Sequence, residues 1–159
     1  MFRLSKLTDY GIVILAHLAE ESRRTGGARE THNARELAEA VSLPVPVVSK
    51  VLKLLARAGA LDSQRGAHGG YALARRPEEL TVAEMIAALE GPVAMTECTV
   101  APLVCAHEGS CAVKGPWQVI NQVVQGALEG VTLADLIDPR FPSIRSPLGV
   151  LQKSSALRA

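Results

Sequence analysis

Cys98, Cys105 and Cys111 are separated by six and then five residues, in a stretch that also carries Pro102, Gly109 and Gly115. Three thiols make a poor disulfide framework, because their number is odd and a chain expected to work in the reducing cytoplasm disfavours disulfides. Iron-sulfur centres take thiolate ligands and need the chain to curl around them, which such a loop allows. The spacing points to a cluster held by three thiolates, with one coordination place left for another donor. Zinc is the competing chemistry, since His107 lies between the second and third cysteines and would complete a closed Cys-three-His set. Zinc-binding pairs, however, usually sit two to four residues apart. Two plainer readings stay open: free cysteines are often buried as small hydrophobes, and an accessible thiol is itself a redox sensor. A segment rich in Thr, Glu, Pro and Gly argues against simple core packing.

A second constellation is Pro44-Val45-Pro46-Val47-Val48-Ser49-Lys50, followed by Lys53. A helix that reads DNA needs small or short polar side chains near its N-terminal end, so that the backbone can enter the major groove, and cations further along for phosphates. Ser49 can hydrogen-bond a base edge, Val45 or Val47 can touch a thymine methyl, and Lys50 and Lys53 can neutralise phosphate. Arg65, on a Gly-rich hairpin with His68, is placed to enter a minor groove, where narrow A·T-rich DNA concentrates negative potential. Each residue alone also fits an ordinary solvated face. The order helix, turn, helix, basic glycine hairpin is far more specific.

The elements that must position these groups are legible in outline. Ser5 or Thr8 can cap a first helix whose apolar positions Leu7, Val13, Ile14 and Leu18 recur near helical spacing, ending by Ser22. Residues 23–33 read as a loop. Asn33 caps a short helix with Leu37, Ala38 and Val41 inward, and Ser42-Leu43-Pro44 breaks it. The next helix starts near Pro44, buries Val48, Val51, Leu52, Leu54 and Leu55, and stops at Gly59. Strands are expected over 61–64 and 71–73 as a hairpin wing. Thr81 with Glu84 forms a capping box for a helix over 81–89 that turns Val82, Met85, Ile86 and Leu89 to one side and ends at Gly91-Pro92. Residues 93–115 show no periodicity and read as a loop. Pro116 begins a helix through Trp117, Ile120, Val123, Val124 and Leu128 that can pack a partner subunit, and Thr132 caps a last one.

The expected fold class is mainly α: a winged helix-turn-helix with a small β-hairpin wing, plus a long C-terminal dimerisation helix. Residues 1–80 form the DNA-binding domain, 81–138 the cluster loop and dimerisation helices, and 139–159 a mobile tail. One helix-turn-helix reads too few base pairs for useful specificity, so a homodimer is expected on double-stranded operator DNA.

Bulk properties agree and exclude other classes. The 159 residues are 48% hydrophobic but only 3% aromatic, so the core must be aliphatic, which suits helices. Net charge is +1, yet residues 1–80 carry 12 Lys+Arg against 9 Asp+Glu and residues 81–159 carry 5 against 7. The basic half is the half with the helix-turn-helix. The apolar run 11–18 is interrupted by His17 and falls short of the roughly 20 residues that cross a bilayer, and no signal-peptide order is present. A cytoplasmic chain with no membrane partner is expected. No paired carboxylates, Ser-His-Asp set or phosphate loop suggests an enzyme, and residues 66–70 lack a following Lys-Ser/Thr.

Met1-Phe2-Arg3-Leu4-Ser5-Lys6-Leu7-Thr8-Asp9-Tyr10, the stretch Leu43-Pro44-Val45-Pro46-Val47-Val48-Ser49-Lys50-Val51-Leu52-Lys53, the wing Arg65-Gly66-Ala67-His68-Gly69-Gly70-Tyr71 and the three-cysteine segment together resemble the IscR/NsrR family of winged-helix repressors. The likeness spans residues 1–138 and is stronger to the branch that regulates the SUF iron-sulfur assembly system. It implies a homodimer joined through the helix near 117–128, with one iron-sulfur cluster (two-iron two-sulfur or four-iron four-sulfur) per subunit and DNA affinity set by cluster state. It implies a repressor of iron-sulfur assembly genes. In some similar proteins an acidic residue of the partner's first helix is the fourth ligand, and Asp9 occupies that place. In others a His three residues after the last Cys serves, but that position is Lys114 here, which leaves Asp9 first and His107 second. A carboxylate in a helix's first turn also favours the macrodipole with no metal. The alternatives are a nitric-oxide or redox sensing repressor of the same fold, and a zinc-stabilised DNA-binding protein without a sensing role.

Overall fold

The structure is a computed structural model that describes residues 4–27, 30–66, 69–100, 105 and 110–140. His68, His107 and the tail beyond Arg140 lie outside the described residues, as does the side chain of Cys98. The elements are α1 (Lys6–Arg24), α2 (Ala34–Ala40), α3 (Val45–Arg57), β1 (Leu61–Gln64), β2 (Gly70–Leu73), a 3-10 turn (Pro77–Glu79), α4 (Val82–Glu90), α5 (Glu97–Val100), α6 (Lys114–Glu129) and α7 (Leu133–Leu136). Among the described residues no helix is long and apolar enough to cross a membrane.

Local signals set most boundaries. Asn33 Oδ1 accepts from the Arg35 and Glu36 amides at 3.0 Å while Glu36 accepts from the Asn33 amide at 2.9 Å, so a reciprocal capping box starts α2. The same device opens α4 through Thr81 and Glu84, and α7 through Thr132 and Asp135. Helix α2 ends with Leu43 N donating to Ala38 O and Ser42 N to Glu39 O, a Schellman closure with Ser42 in the left-handed region at φ 54°. Helix α3 closes in the same way on Gly59, φ 76°, where the missing Cβ makes that conformation inexpensive.

One aliphatic core joins the helices. Ile14 and Leu15 of α1, Leu37 of α2, Val48, Val51, Leu52 and Leu55 of α3, Leu61 of β1, Met85 of α4 and Leu133 of α7 are all buried in it. Burying each such side chain contributes about 1.5–3 kcal/mol relative to exposure. Val13, expected inward on α1, is instead 44% exposed. It stands one turn from Asp9 on the outer face, while Ile14 and Leu18 take the core side. Helix α7 is drawn back to the start of α4 by Val82 N to Val131 O at 2.9 Å and Leu133 N to Leu80 O at 2.8 Å.

The wing is a two-stranded antiparallel sheet in the register Leu61↔Leu73 to Gln64↔Gly70. A further short bridge pairs Tyr71 with His32, two hydrogen bonds of 2.8 and 3.0 Å, within the segment expected as loop. Any side chain at position 70 would meet the His32 carbonyl oxygen at 2.6 Å, so Gly70 is what lets the chain ahead of α2 seat against the wing. In the stretch expected as an unbroken loop, α5 forms one turn and packs on α6. Helix α6 begins at Lys114, two residues before the expected Pro116.

Candidate DNA-reading face and cysteine segment

Helix α3 divides by side. Val48, Val51, Leu52 and Leu55 are buried, while Pro46, Lys50, Lys53 and Arg57 recur at spacings of four, three and four and are exposed. At 3.6 residues per turn the two sets lie on opposite sides of the helix. Pro44 is the N-cap and Pro46 sits in the first turn, where the backbone N-H groups have no intrahelical partner to lose. Val45 is exposed, whereas Val47 and Ser49 are half-buried, so Ser49 lies at the edge of the open face and not at its centre. Arg57 extends the cationic stripe by one turn beyond Lys53. Its spacing of four from Lys53 was a signal available in the sequence. Arg65 is exposed at the hairpin turn after β1, next to exposed Gln64.

The cysteine segment is bracketed by α4 and α6. Cys98 lies in α5, and Cys105 and Cys111 are half-buried free thiols. The Cys111 carbonyl accepts from the Lys114 amide at 3.3 Å as α6 begins. Upstream, Asn121, buried in α6, accepts from the Met95 amide at 2.9 Å and donates to the Val93 carbonyl at 3.4 Å. The segment thus enters and leaves against one helix. Nothing in the sequence marked Asn121, a polar residue between apolar positions, as this clamp.

Asp9 is exposed on α1, and among the described residues its carboxylate has no hydrogen-bond or ion-pair partner. Its neighbour Thr8 is fully buried and donates its hydroxyl to Glu90, whose same oxygen accepts the Ser5 amide at 2.8 Å. The Thr8 hydroxyl, and then Ser5, hold the Glu90 carboxyl below its ordinary range. Among the described residues no three His, Cys, Asp or Glu side chains within this one chain are gathered as a metal site. The donor set nonetheless fits an iron-sulfur cluster in its chemistry: two free, half-buried thiols and a third cysteine in one segment, with an unpaired carboxylate available on another helix. A cleft of about 1050 Å³ between the end of α1, β2 and α7 shares no residue with either constellation.

A helix-turn-helix followed by a hairpin wing, with a cationic stripe on the outer side of its second helix, defines a winged-helix DNA-binding regulator. The chain belongs to the Rrf2 family, described as iron-dependent transcriptional regulators, which matches residues 4–139. It is 28% identical over 135 residues to Protein rrf2 of Nitratidesulfovibrio vulgaris, covering 85% of this chain and 87% of that one. It is 28% identical over 154 residues to the regulator NsrR of Geobacillus kaustophilus, covering 92% and 96%. Among solved structures, CymR, the global cysteine regulator of B. subtilis, superposes with a TM-score of 0.63 at 27% identity, covering 86% of this chain and 97% of that one. The family resemblance and the winged-helix fold expected from the sequence are borne out. The chain is a helix-turn-helix transcription regulator and not an enzyme, from a family whose members bind DNA and are typically dimeric.

Proposed function

We propose that this chain is a homodimeric repressor of iron-sulfur cluster assembly genes whose affinity for operator DNA follows the state of a bound iron-sulfur cluster. Cys98, Cys105 and Cys111 of one subunit hold the cluster, and the partner subunit's Asp9 completes it, with His107 as the competing donor. When bound, the cluster supplies a centre that oxidants, nitric oxide or iron shortage can remove, because an oxygen ligand among thiolates leaves a labile corner. The observation that carries the reading is the carboxylate of Asp9: it is exposed on an outer face and, among the described residues, has no hydrogen-bond or ion-pair partner.

The remaining residues transmit and read. Residues 1–80 carry the DNA contacts, and residues 81–138 carry the cysteines and the dimer helix. Pro116, Val119, Ile120, Val123 and Ala127 form an exposed, largely apolar stripe along α6, on a different side from half-buried Trp117, Val124 and Leu128. Such a stripe supports pairing with a second copy. On the duplex, Pro44, Val45, Pro46, Val47 and Ser49 face base edges, Lys50, Lys53 and Arg57 meet phosphates, and Arg65 with His68 reaches the minor groove. Helix α1 packs on α3, so releasing Asp9 lets α1 and the reading helix shift, and the two reading helices leave the spacing of about one DNA turn that half-sites require.

Anaerobic purification with iron and sulfide counting and absorbance spectroscopy tests the cofactor. A brown protein with two or four irons per subunit, and DNA affinity that changes when the cluster is removed, is expected. A colourless, iron-free protein after reconstitution overturns the reading, and bound zinc replaces it with a structural metal. A redox or nitric-oxide sensing repressor of the same fold is a second reading, favoured by the two free thiols Cys105 and Cys111. Loss of DNA binding on exposure of the loaded protein to nitric oxide, but not on iron depletion, would select it.

A further inference from the structure

The last two residues of α4 both dock on α1. Leu89, half-buried, lies against Gly11. Glu90 reaches the first turn, where one carboxylate oxygen accepts both the Ser5 amide and the Thr8 hydroxyl. The helix does not need Glu90 for its ordinary cap, because the Ser5 hydroxyl already accepts from the Thr8 amide at 3.3 Å. What Glu90 satisfies is the N-H of the cap residue itself and a buried hydroxyl whose other neighbour is the Ser5 hydroxyl at 3.4 Å. It ties together residues more than eighty positions apart. Asp9 follows directly after Thr8.

Downstream of Glu90 the chain has little slack. Val93 and Met95 are held to α6 by Asn121, and Cys98 comes three residues after Met95. The strap between α4 and α5 is therefore fixed to α1 at its start and to α6 in its middle. Movement of the cysteine segment is handed to the end of α4 more readily than it is absorbed, since pinned backbone transmits displacement that a free loop would lose.

We propose that Glu90 is the positioning residue that couples the cysteine segment to the DNA-reading helix. By holding the first turn of α1 it sets where Asp9 stands, and through the packing of α1 on α3 it sets the pose of the reading helix. This rests on the cluster reading above.

The test compares the parent chain with Glu90→Ala, Glu90→Gln and Thr8→Val, each with and without reconstituted cluster. The DNA probe is a duplex selected from a random pool by the parent protein. Amide hydrogen exchange of residues 6–9 is read in the cluster-free protein, and the ratio of DNA affinities with and without cluster is read for each variant. Glu90→Ala is expected to speed exchange in the first turn of α1 about tenfold or more and to bring the affinity ratio at least fivefold closer to one. Glu90→Gln, whose amide oxygen still accepts both bonds, is expected to stay near the parent. Thr8→Val removes the hydroxyl half of the tie with the side-chain shape kept and leaves the Ser5 amide bond to Glu90, so it is expected to move both readouts in the same direction by a smaller amount, and it decides the matter if Glu90→Ala does not fold.

Faster exchange with a parental affinity ratio makes the tie merely structural and overturns the coupling, and so does unchanged exchange. A parent protein that binds no cluster, or whose affinity ignores it, removes the cluster reading and the coupling together. A parent that switches normally while Glu90→Ala switches equally well removes the coupling alone.

Discussion

Asn121 holds the backbone of Met95: its side-chain oxygen accepts the Met95 amide at 2.9 Å from a position 7% exposed on α6. A buried polar side chain is tolerated only when it is bonded, and here it also donates to Val93. Asn121→Ala would leave the Met95 amide with no side-chain acceptor, at a cost of about 1–3 kcal/mol. A melting temperature lower by about 2–4 °C for each kcal/mol is expected in thermal denaturation. A melt unchanged from the parent would mean that solvent already serves Met95.

Ser42 closes α2 with a left-handed backbone that costs a residue bearing a Cβ about 1–2 kcal/mol. Ser42→Gly removes that strain, offset in part by the greater freedom of glycine in the unfolded chain. A net gain of about 0.5–1 kcal/mol is expected in urea denaturation, with the slope unchanged. A loss of stability would show that the serine side chain contributes more than its backbone costs.

Lys50, Lys53 and Arg57 project from one side of α3. If that side meets phosphates, alanine at each position lowers the slope of log affinity against log salt by about 0.9, with sequence preference retained. Ser49→Ala is expected to change which base is preferred with little effect on the slope, and Arg65→Ala to weaken binding with a modest loss of slope. Salt titrations that leave every slope unaltered would move the DNA to another face.

Acid stability follows from the capping carboxylates. The Thr81 amide, and then Arg75, hold Glu84 below its ordinary value, and Thr8 and Ser5 do the same to Glu90. A carboxylate whose folded value is depressed contributes stability above its unfolded value and loses it as pH falls through the folded one. Urea midpoints are expected to stay level from pH 7 down to about 4.3, the unfolded glutamate value, and to fall below it. Glu84→Gln should lie lower at neutral pH and decline less steeply in acid. An equally steep decline would assign the acid sensitivity to other groups.

Much of this protein was legible along the chain because its signals act over three to five residues. Asn33 with Glu36, Thr81 with Glu84, and the two prolines ahead of α3 mark helix starts through bonds that close within one turn. The glycines around Arg65 mark the hairpin, whose strands pair from Leu61↔Leu73 to Gln64↔Gly70. The buried and open sides of α3 follow from its period alone. The single turn α5 was missed because four residues carry no period.

Other features depend on groups that meet only after the chain has collapsed. No local pattern distinguishes Val13, which faces outward, from Ile14, which is buried, until α3 and α4 occupy the inner side of α1. The ties of Glu90 to Ser5 and Thr8 span 85 and 82 residues, and that of Asn121 to Met95 spans 26. The sequence by itself determined the longer elements and, for α3, the side that seeks the core. Tertiary structure decided which polar groups find one another across it, because a hydrogen bond between distant segments is chosen by packing and not by spacing.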